Sequence, residues 1–198
     1  RKFFASIDHE TLLAILREHI PDRRIFWLIE NIVASYHAEG LPGVGLPLGN
    51  LTSQLFANIY LHRFDEWMKH AIKAKYYVRY ADDFVLLSEC KVALTDALQK
   101  IRDFLKNHLH LTLHPDKIVL KTVASGIDFL GWLHFSDHRV LRTKTKRRMF
   151  KRLKNVMSES ALQSYLGVLG HGNSSRTRTQ LLGEYWVRQP ASGLHIDN

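Results

Sequence analysis

The sequence predicts an α+β fold. Short runs rich in aromatic and β-branched residues, such as Tyr76-Tyr77-Val78-Arg79 and Phe84-Val85-Leu86-Leu87, read as strands. Apolar residues at helical spacing fill most of the stretches around them. The strands lack the regular strand–helix–strand alternation of a doubly wound sheet, and from residue 143 onward only helical periodicity remains. A boundary near Leu141 therefore separates a mixed part, 1–141, from a helical part, 142–198.

Residues 1–7 read as the end of a strand carrying Phe3 and Phe4. Asp8 can N-cap a helix whose Leu12, Leu13, Leu16 and Ile20 share a face, and Pro21-Asp22 breaks it. A second helix reaches about His37, with Ile25, Leu28, Ile29, Ile32 and Val33 expected inward. The stretch 40–49, rich in glycine and proline, is the main irregular segment, and a third helix spans about 50–73. The two apolar runs then form a hairpin around Ala81-Asp82-Asp83. Residues 91–109 are expected to be helical and 111–114 a short strand. Further strands are expected at 117–123 and 127–135, separated by Ser125-Gly126. Residues 139–141 pair back across Ser136-Asp137-His138, and two or three helices follow.

Composition narrows the function classes. An apolar fraction of 45% in 198 residues supports one ordinary domain, or one and a small one, with a real core. The formal net charge of +9 and the sequence pI of about 9.7 point to a polyanionic partner, most simply nucleic acid. Cys90 is the single cysteine, which excludes an internal disulfide and a cysteine-rich zinc site and fits a reducing cytoplasm. No apolar run approaches a membrane span, and no signal peptide is visible, so no membrane partner is expected. His108, His110 and His114 lie close together without the spacing of a helical or zinc-finger site. Neither a Walker phosphate loop nor a His-Glu-x-x-His motif occurs. The chain starts at Arg1, and its first residues already read as structured interior, so an N-terminal part is expected outside this sequence.

Tyr80-Ala81-Asp82-Asp83 carries the most chemistry. Adjacent carboxylates at a hairpin tip repel one another, and hard carboxylate oxygens suit Mg²⁺. The same residues also suit an ordinary polar turn. The segment 142–154 holds eight Lys or Arg in thirteen residues and no acid: Arg142, Lys144, Lys146, Arg147, Arg148, Lys151, Arg152 and Lys154. Met149, Phe150 and Leu153 can pack inward, leaving a basic face that would follow a phosphate backbone, with Arg176 and Arg178 extending it. A merely solvated helix is the alternative.

Five motifs stand in a fixed order. Arg1-Lys2-Phe3-Phe4-Ala5-Ser6-Ile7-Asp8-His9 is followed by Gly45-Leu46-Pro47-Leu48-Gly49-Asn50-Leu51-Thr52-Ser53-Gln54-Leu55-Phe56-Ala57-Asn58. Tyr80-Ala81-Asp82-Asp83, Leu113-His114-Pro115-Asp116-Lys117 and Gly126-Ile127-Asp128-Phe129-Leu130-Gly131-Trp132 come next. Together they resemble the palm of a prokaryotic reverse transcriptase over about residues 1–135, and the remainder resembles the thumb. The resemblance implies a right-hand polymerase palm, an antiparallel sheet backed by helices. Residues 1–141 would be palm with part of the fingers, and 142–198 an incomplete helical thumb. In the second motif most bacterial enzymes of this family, including those of group II introns and retrons, have Gln-Gly and Ser-Pro. Leu48-Gly49 and Ser53-Gln54 here resemble the variant of diversity-generating retroelements, which copy template RNA with errors opposite adenine alongside an accessory protein.

The resemblance also implies roles. Two Mg²⁺ ions, or Mn²⁺, would serve nucleotidyl transfer, with Asp82 and Asp83 as ligands and Asp82 the more direct one. The family's further acid usually lies two residues before the position of Arg1, so one catalytic aspartate is expected outside this chain, and Asp8 reads as a helix cap. Phe4 would pack under the nucleotide sugar and exclude a 2′ hydroxyl, favouring deoxynucleotides, or be plain core beside Phe3. Leu48 stands where relatives place a glutamine, and an aliphatic side chain there removes hydrogen bonds that would discriminate between nucleotides. Gly49 would let backbone approach the substrate, while Ser53, Gln54 and Asn58 are equally nucleotide contacts or helix capping and packing residues. Lys117 would neutralise or protonate leaving pyrophosphate, or be a solvated lysine. Phe129, Leu130, Gly131 and Trp132 resemble the hairpin that grips the primer, and they could also be core. The implied partners are template RNA, primer, cDNA, deoxynucleoside triphosphates and an accessory protein. The rivals are an intron, retron or CRISPR-associated reverse transcriptase, and a non-catalytic RNA-binding relic.

Overall fold

The computed structural model describes residues 3–155 and 158–188. The chain divides into two compact units, Arg1–Ile118 and Val119–Asn198. This division falls earlier than the change in composition near Leu141, because a small sheet groups with the helices that follow it.

In the first unit, Asp8 caps α1 (His9–Arg17), its Oδ2 accepting from the Thr11 amide at 2.8 Å and the Thr11 hydroxyl at 2.7 Å. Leu12, Ile15 and Leu16 are buried beneath it. Asp22 caps α2 (Arg23–Ala34) through the amides of Arg24 and Ile25. The inward residues of α2 differ in part from expectation: Val33 is buried and Ile29 half-buried as expected, Phe26 is buried as well, and Ile25, Leu28 and Ile32 are exposed. This helix is apolar around much of its circumference, and at about 100° per residue two stripes compete for the core. Periodicity alone cannot choose between them.

The central element is α3 (Leu51–His70), which buries Phe56, Ala57, Tyr60, Leu61, Phe64 and Met68. Tyr60 donates to the Leu109 carbonyl at 2.7 Å, and burial pushes its phenol up to about 12. Leu109 ends α4 (Lys91–Leu109), whose Ile101 and Leu105 close the core from another side. Between α3 and α4 lie β1 (Tyr76–Tyr80) and β2 (Asp83–Leu87), an antiparallel ribbon. Its half-buried inner face carries Tyr77, Arg79, Phe84 and Leu86. Tyr76, Val78, Tyr80 and Leu87 are exposed. Among the described residues the ribbon is two strands wide, so each strand has one unpaired edge.

Three expected strands are absent. Phe4–Ser6 forms a 3-10 turn, because the carbonyls of Phe4 and Ile7 accept from Leu46 and Gly45 of the glycine-rich loop, each at 2.7 Å, instead of from a partner strand. Residues 111–114 and 117–123 are irregular apart from 3-10 turns at Pro115–Lys117 and Val123–Ser125. Pro115 supplies a turn-ready φ and no donor, and the Lys117 amide bonds back to His114 at 3.0 Å.

In the second unit, β3 (Ile127–Phe129), β4 (Trp132–His134) and β5 (Arg139–Leu141) form an antiparallel meander, with β5 pairing back as expected. Three helices follow: α5 (Thr143–Asn155), α6 (Glu159–Leu169) and α7 (Ser175–Arg188). Met149, Leu153, Leu162, Leu169 and Leu181 form their shared core. The turn between α6 and α7 docks on the meander. Asn173 donates its amide to the Arg139 carbonyl at 2.8 Å, and the Arg139 side chain donates to the His171 carbonyl. The Arg139 guanidinium also lies 5.4 Å from the Trp132 ring centre. A Cβ on Gly172 would overlap that ring, so only glycine allows this approach. Gly172→Ala is expected to destabilise the protein by about 1–3 kcal/mol through overpacking. Thermal unfolding should show the loss, and Trp132→Leu in the same background should restore part of it. An unchanged midpoint for Gly172→Ala would mean the ring yields freely.

Candidate active site

The β1–β2 ribbon turns through Ala81-Asp82, with Tyr80 paired to Asp83. Ala81 has φ +52, a left-handed conformation that costs an L-residue about 1–2 kcal/mol. Asp82 and Asp83 are exposed at this tip, and no described residue makes a hydrogen bond or ion pair to either carboxylate. Among the described residues no three His, Cys, Asp or Glu side chains cluster as a metal site. The tip therefore offers two hard oxygen donors from adjacent residues. That donor chemistry fits a largely hydrated Mg²⁺, which takes one or two carboxylates and keeps several waters.

Beneath the tip is a network that sequence reading did not single out. Arg79 Nε donates to Asp65 Oδ1 on α3 at 2.7 Å, and a second guanidinium nitrogen pairs with Asp65 Oδ2. The Tyr77 hydroxyl donates to the same Oδ1 at 2.7 Å. The remaining guanidinium nitrogen donates to the Ala81 carbonyl at 2.8 Å and to Asn58 Oδ1 at 3.4 Å. Burial alone would raise the Asp65 carboxyl, but the hydrogen bonds from Arg79 and Tyr77 outweigh it and hold it below the ordinary range. Burial, then the Asp65 acceptor, pushes the Tyr77 phenol above its usual range. A signal existed in the sequence: Arg79 occupies an inward position of an alternating strand, where a charge needs a partner.

The glycine-rich loop carries the second predicted group. Its backbone is tied to residues 4–9 by the Phe4 and Ile7 carbonyls and by the His9 amide, which donates to the Gly43 carbonyl at 3.0 Å. His9 Nε2 lies 2.7 Å from the Gly45 carbonyl oxygen. This brings half-buried Phe4 to the same loop as Leu48 and Gly49. Leu48 is 73% exposed, available to a ligand and contributing little to the core. Gly49 has φ +94 with open space around it, so backbone conformation rather than a close internal contact requires glycine there. Ser53 is buried on α3, Gln54 is exposed, and Asn58 is the Arg79 partner already described. Lys117 is exposed at the end of a 3-10 turn.

In the second unit, Phe129 and Trp132 flank a two-residue turn in which Leu130 has φ +53 and Gly131 φ +84. Leu130 is the exposed tip, whereas the Trp132 ring is engaged with Gly172 and Arg139. On α5, Lys144, Arg147, Arg148, Lys151 and Arg152 are exposed, and Lys146 lies 5.8 Å from the Phe150 ring centre. Arg142 is ion-paired with Asp128 at 2.9 Å, so part of its charge is already met. Arg176 and Arg178 are exposed on α7. The Lys154 side chain lies outside the described residues, as do Arg1 and Lys2 of the first motif.

The family described as "Reverse transcriptase (RNA-dependent DNA polymerase)" matches residues 1–134, the segment holding the glycine-rich loop, the acidic hairpin and the Phe129–Trp132 turn. The chain belongs to the reverse transcriptase family. Its relatives include Protein YkfC of Escherichia coli (strain K12), 26% identical over 195 residues, covering 80% of this chain and 50% of that protein. Group II intron-encoded protein LtrA of Lactococcus lactis subsp. cremoris is 24% identical over 223 residues, covering 79% of this chain and 37% of that protein. The Putative COX1/OXI3 intron 2 protein of Saccharomyces cerevisiae is 23% identical over 198 residues, covering 66% and 22%. The chain thus spans half or less of the length of these relatives. The α+β architecture, small antiparallel sheets with helices, agrees with a reverse transcriptase palm and a helical region.

Proposed function

We propose that this chain is the palm, with part of the fingers and thumb, of an RNA-directed DNA polymerase that copies template RNA into cDNA from deoxynucleoside triphosphates. The observation that carries the reading is the Asp82-Asp83 pair, exposed and without a partner among the described residues, at the tip of a ribbon braced on α3, in a chain of this family. Asp82 and Asp83 would hold divalent cations, Mg²⁺ or Mn²⁺. When bound, such ions supply charge neutralisation at the triphosphate and activation of the primer hydroxyl. Phe4 limits the space at the sugar, and Lys117 offers a proton or a charge to pyrophosphate. The exposed cations of α5 follow a phosphate backbone, which makes template affinity fall steeply with salt. Phe129, Leu130, Gly131 and Trp132 act on the primer, with Leu130 the side chain in reach and Trp132 the anchor below it.

The finer reading is a diversity-generating retroelement enzyme, working with an accessory protein. It rests on Leu48 with Ser53-Gln54, and the exposure of Leu48 supports a substrate contact. A second reading is an intron-encoded enzyme, favoured by the similarity to a group II intron-encoded protein.

The test is primer extension on an RNA template with Mg²⁺, using the protein at its full natural length, followed by cDNA sequencing. Errors concentrated opposite adenine support the retroelement, and faithful copying supports the intron. RNA binding without extension, with or without a candidate accessory protein, would favour a non-catalytic RNA-binding module. If the retroelement reading is right, Leu48→Gln should lower misincorporation opposite adenine, by roughly tenfold for one restored polar contact. An unchanged error spectrum would remove Leu48 from the account of fidelity.

A further inference from the structure

We propose that Arg79, clamped by Asp65 and Tyr77, is a positioning residue that fixes the turn bearing Asp82 and Asp83. The inference rests on the reading of those two acids as metal ligands. The geometry is direct. One guanidinium makes three kinds of contact: a two-pronged ion pair to Asp65, a 2.8 Å bond to the Ala81 carbonyl and a longer contact to Asn58. Asp65 and Asn58 both belong to α3, the helix that runs through the core. The Ala81 carbonyl belongs to the turn itself, immediately before Asp82. Arg79 therefore ties the turn to the helix that buries the most residues in its unit.

Each partner is needed for a physical reason. Arg79 is 11% and Asp65 19% exposed in the side chain, so neither charge can be left alone without a large desolvation penalty. Tyr77 donates a further hydrogen bond to Asp65 Oδ1, beside the one from Arg79 Nε. Ala81 has a backbone conformation that L-residues disfavour, and its carbonyl accepts this hydrogen bond from the Arg79 side chain. A two-residue turn without such a brace would sample several arrangements. Adjacent acids that must present oxygens to one ion would then bind it less well. Lysine could keep the charge at this position but not the fork that reaches helix and turn together.

The experiment compares wild type, Arg79→Gln, Arg79→Lys, Asp65→Asn and Tyr77→Phe in the full-length protein. Extension rates are measured against Mg²⁺ concentration, and Mn²⁺ binding is followed separately by electron paramagnetic resonance. Arg79→Gln should lower kcat by roughly 10- to 100-fold and raise half-saturating Mg²⁺ several-fold, with KM for primer–template unchanged. Mn²⁺ binding should weaken in parallel, and high Mn²⁺ should recover part of the rate. Asp65→Asn should reproduce the shift from its place on α3, and Arg79→Lys should not rescue it. Tyr77→Phe keeps the ring packing and should give a smaller shift of the same sign, so it serves if the charge variants fail to fold. Folded variants with wild-type metal dependence and Mn²⁺ binding would overturn the proposal. If wild type does not extend primers, the polymerase reading fails, while Mn²⁺ binding still judges Arg79: equal binding by wild type and Arg79→Gln, or none by wild type, rejects its role.

Discussion

Asp82→Ala is expected to reduce RNA-templated extension by about 10²- to 10³-fold, the scale of removing a group that stabilises transition-state charge. Folding should survive. The Asp82 side chain is exposed and no described residue bonds to it, so its removal breaks no internal interaction. Surface substitutions of that kind usually change stability by no more than about 0.5 kcal/mol. The paired measurements are single-turnover extension and template binding without divalent metal. Lost extension with intact binding and an intact melting curve places the defect in chemistry. Retained extension would show that Asp82 is a turn residue and nothing more.

Phe64→Ala should give the largest stability loss, about 3–5 kcal/mol. Phe64 is 1% exposed, and its ring lies 5.1 Å from Phe84, 6.0 Å from Tyr77 and 6.2 Å from both Trp67 and Phe104. It is where α3, α4 and the inner face of the acidic ribbon meet. Its removal leaves a cavity that rings on three sides cannot collapse to fill. Since domains are stable by only about 5–15 kcal/mol, this variant should unfold at markedly lower denaturant concentration. A loss below about 1 kcal/mol would mean that the ribbon is not packed on α3 as described.

The acidic hairpin was legible in the sequence because two alternating apolar runs flank a polar dipeptide, a local pattern with a local cause. Asp8 as a cap was legible for the same reason, and so were the helices after residue 143. The strand expected at residues 1–7 is not realised over the described residues 3–7. Its backbone groups bond to a loop nearly forty residues away, which no local pattern reveals. The inward stripe of α2 was misread in part, because an apolar helix offers more than one face. The bracing of the hairpin by Asp65 was hidden by its sequence distance, although Arg79 at an inward strand position was a clue. Trp132 was read as part of the primer grip, while its contact with Gly172 depends on the α6–α7 turn and appears only in three dimensions.

The ribbon has a further consequence for how the protein behaves in concentrated solution. Two strands with exposed Tyr76, Val78, Tyr80 and Leu87, whose outer edges pair with no strand among the described residues, form a template on which another copy could stack. Charge guards both ends of it: Lys73 and Lys75 precede β1, and Asp82 and Asp83 sit at the turn. The acids proposed to hold metal would then also act as gatekeepers against aggregation. Chemistry and solubility draw on the same two side chains, and a lineage that discarded the first would still have reason to keep them for the second.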